Sequence, residues 1–90
     1  MFEKVEQAAC EVYRIDCSKL YERDAKKITS SARSLTWYVL HCDNSVSISA
    51  LSKRYGRTER NVKYMIAKIK FLIGRNKEIT KKYYTIKQLL

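Results

Sequence analysis

Proline is absent from this chain of 90 residues, and glycine occurs only at Gly56 and Gly74. Few positions are therefore suited to tight hairpin turns, and helices are favoured over strands. No apolar run approaches the roughly 18 residues that span a bilayer, and the N-terminus lacks the basic start and apolar segment of a signal peptide. We expect a cytoplasmic protein that folds as a single domain, residues 1–90.

Residue types that bind metals or catalyse reactions are scarce. Cys10, Cys17 and Cys42 are odd in number and irregularly spaced, which argues against a disulfide framework. The chain has no C-x-x-C pair, and the sole histidine, His41, is adjacent to Cys42, so the two point to different faces of a helix. A zinc site is therefore disfavoured and no cofactor is expected. Because no Ser-His or Cys-His pair has a spacing that indicates a catalytic nucleophile and its base, we expect no enzyme activity.

The net charge of +10 is unevenly distributed. Residues 1–24 carry four basic and six acidic side chains, whereas residues 25–90 carry fifteen basic and three acidic ones. A basic surface of this size attracts polyanions by releasing their counterions, which supplies the sequence-independent part of nucleic-acid affinity. The alternative is a solvated surface that only improves solubility, which is common for lysine-rich helices.

Apolar residues recur at steps of three and four, the spacing of amphipathic helices. The pattern predicts a first helix over residues 2–13, a short second helix capped by Asp16, and a charged connector from Arg23 to Lys27. A third helix, Ile28 to Cys42, carries apolar residues on more than one side and is the expected core helix. These elements predict an all-α fold, an orthogonal bundle of five to six helices.

Residues whose side chains accept backbone hydrogen bonds at helix N-termini mark three further helices. These expected N-caps are Ser47, Thr58 and Asn76. The helices that follow them are expected to end at Tyr55, at about Leu72 and at Leu90, with Leu90 facing the core.

The segment over residues 47–72 has the spacing of a helix-turn-helix. Ser52 is the small residue where the second helix crosses the first, Gly56 supplies the turn, and Val62 is the branched apolar residue six positions later. Any two amphipathic helices joined by a glycine turn look similar, so a pure packing role is the alternative. The basic residues around the turn favour nucleic-acid binding.

The turn and the start of its second helix concentrate long polar side chains that suit base-pair edges. Arginine can bond bidentately to guanine and asparagine to adenine, and glutamate can accept from the cytosine amino group. The expected base-reading residues are Arg57, Thr58, Glu59, Arg60, Asn61, Lys63 and Tyr64. For Glu59 and Asn61, stabilisation of the helix N-terminus is an equally open alternative.

A second set of residues suits phosphate groups. Its members are basic, apart from one serine at a helix N-terminus, where unpaired backbone N–H groups can hold an anion. The set comprises Lys26, Lys27, Arg33, Ser47, Lys53 and Arg54.

Over nearly the whole chain, the order and spacing of motifs resemble the C-terminal DNA-binding domain of the bacterial replication initiator DnaA. The similar segments include the core-helix run over residues 32–40, residues 47–56, and Gly56-Arg57-Thr58-Glu59-Arg60-Asn61-Val62, which aligns with the family signature G-R-D-H-T-T-V. The resemblance implies a DnaA-like, Trp-repressor-like helical fold and a DNA-binding surface.

In that family, the residue matching Arg33 contacts phosphate, and the region near Lys26 and Lys27 enters the minor groove. The family's Asp, His and first Thr are replaced here by Thr58, Glu59 and Arg60. These changes argue against recognition of the family's usual origin sequence.

We therefore expect a non-enzymatic module that binds double-stranded DNA and takes part in replication initiation or its regulation. The alternative is a protein-protein interaction module on the same scaffold, with an acidic protein partner, that has lost specific DNA reading. No membrane or small-molecule partner is expected.

Overall fold

Five α-helices form most of the fold in the computed structural model, which describes residues 2–23 and 26–90. Residues 24 and 25, part of the expected charged connector, lie outside the described chain. The helices are α1 (Phe2–Tyr13), α2 (Lys27–Tyr38), α3 (Ile48–Tyr55), α4 (Glu59–Leu72) and α5 (Lys77–Leu89), with a 3₁₀-helix (Cys17–Tyr21) between α1 and α2. Every regular element in the described residues is helical, so the all-α fold is confirmed. None of these helices is long and apolar enough to cross a lipid bilayer.

The helix starts follow from local hydrogen bonding. At each expected N-cap, the side-chain oxygen accepts a hydrogen bond from a backbone amide two or three residues later, at 2.9 to 3.1 Å. Such a bond satisfies one of the N–H groups that a helix leaves unpaired at its first turn. The four N-caps are Asp16, Ser47, Thr58 and Asn76.

The expected core helix ends in a wider turn than an α-helix provides. α2 continues directly into a π-helical turn, Val39–Asp43. The chain then reverses, with the Val46 amide donating to the Leu40 carbonyl at 3.0 Å and Nδ1 of His41 lying 2.7 Å from the Val46 carbonyl oxygen. These bonds fix the path into α3.

The core gathers side chains from all five helices around Trp37, the largest fully buried residue. Leu51 of α3 and Val62 of α4 are also fully buried, so both helices of the helix-turn-helix contribute to this core. Two apolar residues expected inside lie outside: Ile28 is 50% exposed in the first turn of α2, and Leu90 follows the end of α5. Helical periodicity does not predict burial at the ends of a helix, because fewer neighbouring elements pack against those positions.

Candidate nucleic-acid interface

The turn between α3 and α4 has the backbone that a helix-turn-helix requires. Gly56 adopts the left-handed conformation at φ 63°, which is easily reached only without a Cβ atom. The Arg57 amide donates to the Ser52 carbonyl at 3.1 Å, and the Ser52 hydroxyl donates back to the Arg57 carbonyl. Ser52 is thus a hydrogen-bonding partner of the turn as well as a small residue where helices meet.

The face of α4 opposite the core is exposed from its first turn onward. Val62, Ile66 and Ile69 are buried, which fixes the helix's rotation about its own axis. Six of the seven expected base-reading residues are consequently exposed: Thr58, Glu59, Arg60, Asn61, Lys63 and Tyr64. For Glu59 and Asn61, stabilisation of the helix N-terminus stays an open alternative. The backbone amide of Asn61 donates to the Thr58 hydroxyl, and Glu59 lies in the first turn of α4.

Arg57, the seventh expected base reader, is folded back against the domain. Its Nη2 donates to the Glu22 carbonyl at 2.9 Å, and its Nε is buried without a hydrogen-bond partner. Nearby, Nη2 of Arg23 donates to the Gly56 carbonyl at 3.2 Å. These two arginines tie the turn to the segment after the 3₁₀-helix. The structure therefore shows Arg57 anchoring the turn, and its base contact stays a prediction.

Arg33, for which the sequence predicts a phosphate contact, lies inside the fold and is only 4% exposed. Its Nε donates to the Leu20 carbonyl at 2.9 Å and its Nη2 donates to the Glu22 carbonyl at 2.6 Å. Carbonyls at a helix end lack intrahelical donors, and the guanidinium satisfies them here. Arg33 and Arg57 thus meet at one carbonyl oxygen and serve the packing of the 3₁₀-helix.

Arg54, also expected at phosphate, is bound to an acid instead. Its Nη2 and Nε donate to the two carboxylate oxygens of Glu6 at 3.0 and 3.2 Å, and its guanidinium carbon lies 4.2 Å from the centroid of the Phe2 ring. A bidentate pair with a buried carboxylate is among the stronger polar contacts in proteins. The guanidinium is thus held against α1, and a phosphate contact by Arg54 stays a prediction.

The remaining phosphate candidates lie at the surface. Lys26, Lys27 and Lys53 are exposed. Ser47 is exposed too, and its hydroxyl already accepts from the Ala50 amide as the N-cap of α3. Of the six expected phosphate residues, the three lysines and Ser47 are therefore placed where a polyanion can reach them.

Glu6 is the residue of this region that sequence reasoning missed. It is buried on α1 and also accepts hydrogen bonds from the hydroxyls of Tyr21 and Tyr55, whose rings stack at 4.7 Å. The signal was in the sequence: Glu6 lies four residues after Phe2 and three before Ala9, inside the apolar stripe of α1. An acid on such a stripe requires partners when it is buried.

Burial disfavours the charged form of Glu6, but hydrogen bonds from Arg54, Tyr21 and Tyr55 outweigh it and hold the pKa of Glu6 below its ordinary 4.5. Burial and the hydrogen bond to Glu6 both raise the pKa of Tyr55, and burial is the larger cause. Glu6 is consequently ionised at neutral pH, and the cluster of Glu6, Tyr21, Arg54 and Tyr55, called here the Glu6 cluster, joins α1 to the helix-turn-helix.

Acid is expected to weaken the fold through this cluster. A carboxylate with a lowered folded-state pKa adds stability above its unfolded-state pKa and loses it as the pH falls through the folded-state value. The free energy of unfolding should thus decline below about pH 4.5. Urea unfolding at stepped pH should show a shallower decline for Glu6→Gln. Some decline should persist, because backbone and side-chain hydrogen bonding to Ser18 also lowers the pKa of Asp16. Equal slopes for wild type and variant would contradict the assignment.

Comparison with known proteins yields no assignment: no family model matches the chain, and no curated protein matches it. The similarity to an initiator's DNA-binding domain therefore rests on the motif residues alone. In the described residues, no group of three or more histidine, cysteine or acidic side chains is arranged to hold a metal ion.

Proposed function

We propose that this chain is a DNA-binding domain that inserts the N-terminal half of α4 into the major groove of duplex DNA, without catalysis. The observation that carries the proposal is the exposed row of Arg60, Lys63 and Tyr64 on α4, opposite the buried side of that helix. Long donors in this position are what a recognition helix uses to reach base edges.

The charge of the region supports the proposal. Residues 47–75 hold eight basic side chains and a single acid, Glu59. Lys53 on α3 is exposed beside the turn and suits a phosphate contact, which would set the position of α4 without reading sequence. The similarity to the DnaA C-terminal domain supports the same docking, and a role in replication initiation or its regulation is part of the proposal.

A selection of bound duplexes from a random pool tests the proposal. We expect the wild-type domain to enrich a short motif. Arg60→Ala should relax one or two positions of that motif, because a lost arginine-guanine pair costs about 1–3 kcal/mol of discrimination. Lys53→Ala should weaken all duplexes alike and leave the motif unchanged.

Lys81→Ala, an exposed lysine on α5, is the matched control and should change neither affinity nor motif. If Arg60→Ala and Lys81→Ala enrich the same motif equally well, α4 is not the element that reads DNA.

A second candidate is an acidic protein partner, and one surface feature favours it. An open cleft of about 680 Å³ between α2, α4 and α5 has Met65, Ile69 and Ile79 among its apolar lining. Three lysines and one acid also line it: Lys27, Lys68, Lys82 and Glu78. Ile28, half-exposed, lies at the same cleft. An amphipathic acidic helix would fit such a site. If the domain enriches no duplex motif, binding of an acidic protein partner becomes the favoured function.

A further inference from the structure

The outer face of α4 carries two large aromatic side chains that lie outside the core. Tyr64 is 64% exposed and Phe71 is 61% exposed. Residues seven apart in a helix lie almost on one line, so both rings project from the side opposite Val62 and Ile69. Ala67 lies between them and is exposed as well. Its side chain is a single methyl group and adds little bulk between the two rings.

Cations surround this line of residues. They are Arg60, Lys63, Lys68, Lys70 and Arg75, and the helix contains a single acid, Glu59, at its first position. The guanidinium of Arg75 lies 4.4 Å from the centroid of the Phe71 ring, and its Nη1 donates to the Phe71 carbonyl at 2.8 Å. The ring is therefore held in a cation–π stack and is still mostly open to solvent.

The spacing of the rings suits stacked nucleobases. Seven residues of α-helix rise about 10.5 Å. Bases in a stacked strand are about 3.4 Å apart, so two bases between two rings need three such intervals, or about 10.2 Å. The Cα–Cβ bonds of a helix tilt in the same direction along the axis, so two rings in the same rotamer are separated by about the rise of the backbone.

We infer that the α4 ridge, defined as Tyr64, Ala67, Phe71 and Arg75, binds single-stranded nucleic acid by holding two stacked bases between its rings. The flanking lysines would contact the phosphates. Duplex DNA cannot stack its bases on such rings, because they are already stacked within the helix and must be extruded to be reached. Exposed aromatic rings among cations are the usual means of binding single strands.

The inference does not depend on the proposed duplex binding, although the two share Tyr64. A domain with both activities should bind either a single strand or a duplex at this helix, and the two should compete. Phe71 lies two turns beyond the proposed reading residues, so it can separate the two activities.

Binding of fluorescein-labelled ten-nucleotide oligothymidine, measured by anisotropy at low salt, tests the inference. Stacking on one aromatic ring contributes about 1–3 kcal/mol per base, so Phe71→Ala should weaken binding by about tenfold. Phe71→Leu should lose nearly as much, because it keeps the apolar contact but lacks the ring. Tyr84→Ala, which removes a ring that is 56% exposed on α5, is the matched control and should bind like wild type.

A labelled hairpin duplex is measured in parallel under the same conditions, and all variants should melt like wild type because the altered rings are exposed. The inference predicts that Phe71 variants lose single-strand binding and keep duplex binding. It is overturned if the wild type does not bind oligothymidine, if Phe71→Leu binds it like wild type, or if both ligands weaken equally. Ring-dependent single-strand binding without duplex binding would support the inference and contradict the proposed function.

Discussion

Replacing Glu6 with alanine is expected to lower the free energy of unfolding by about 3 kcal/mol. The substitution leaves the buried Tyr55 hydroxyl without its acceptor and Arg54 without its carboxylate. An unpaired buried polar group costs about 1–3 kcal/mol, and breaking a buried ion pair costs about 3–5 kcal/mol. Arg54 is partly solvated, which reduces the second cost.

Thermal unfolding measures this effect, and the melting temperature should fall by roughly 12–24 °C for a domain of this size. Glu3→Ala is the matched control on the same helix: Glu3 is 3.8 Å from Arg54 but 75% exposed, so its removal should change the free energy of unfolding by less than about 1 kcal/mol. Glu6→Gln should fall between the two. A Glu6→Ala domain as stable as the Glu3→Ala domain would show that the Glu6 cluster does not hold α1 to α3.

The stability lost on replacing Glu6 bears on function because the Glu6 cluster joins α1 to the helix-turn-helix. Glu6 lies on α1, Tyr21 on the 3₁₀-helix, and both Arg54 and Tyr55 on α3, the first helix of the helix-turn-helix. A second tie, from Arg57 to the Glu22 carbonyl, holds the turn itself. Arg54 and Arg57 therefore tie α3 and the turn after it to the rest of the domain.

Local chemistry explains what the sequence predicted well. Asp16, Ser47, Thr58 and Asn76 cap their helices as expected, because a cap depends only on an oxygen atom and an amide two or three residues away. Gly56 adopts the left-handed conformation for an equally local reason, since it has no Cβ atom to clash with its own backbone. These short-range features were enough to place the helix-turn-helix.

The arginines were harder to place, because their partners are distant in sequence. Arg33 bonds to carbonyls 11 and 13 residues away, and Arg54 bonds to an acid 48 residues away. The sequence shows that these side chains are cationic, but composition and spacing do not predict which of several acceptors each one contacts. The proposed interface consequently narrows to the exposed lysines and the outer face of α4.

For the apolar residue Phe71, the sequence predicts where the ring lies but not what the ring contacts. Phe71 belongs to a helix with a clear apolar stripe, yet its ring lies outside that stripe and is exposed. Helical position alone predicts the exposure, since Phe71 lies opposite Ile66 and Ile69. What such a ring binds depends on its neighbours, and here they are cations.

Duplex binding should depend steeply on salt, and this is the largest effect that we expect. A protein that neutralises phosphates releases condensed counterions, so the logarithm of affinity falls by about 0.9 per phosphate for each tenfold rise in salt. If the exposed cations contact about five phosphates, affinity should fall roughly 500-fold between 50 and 200 mM salt. Lys53→Ala should reduce the slope by about 1.

Titration of a labelled duplex with the wild-type domain at stepped salt concentrations therefore tests duplex binding itself. We expect clear binding at 50 mM salt, a steep linear decline on logarithmic axes, and a shallower line for Lys53→Ala. No binding at low salt, or an affinity that is the same at both ends of the range, would contradict the proposal that this chain is a DNA-binding domain.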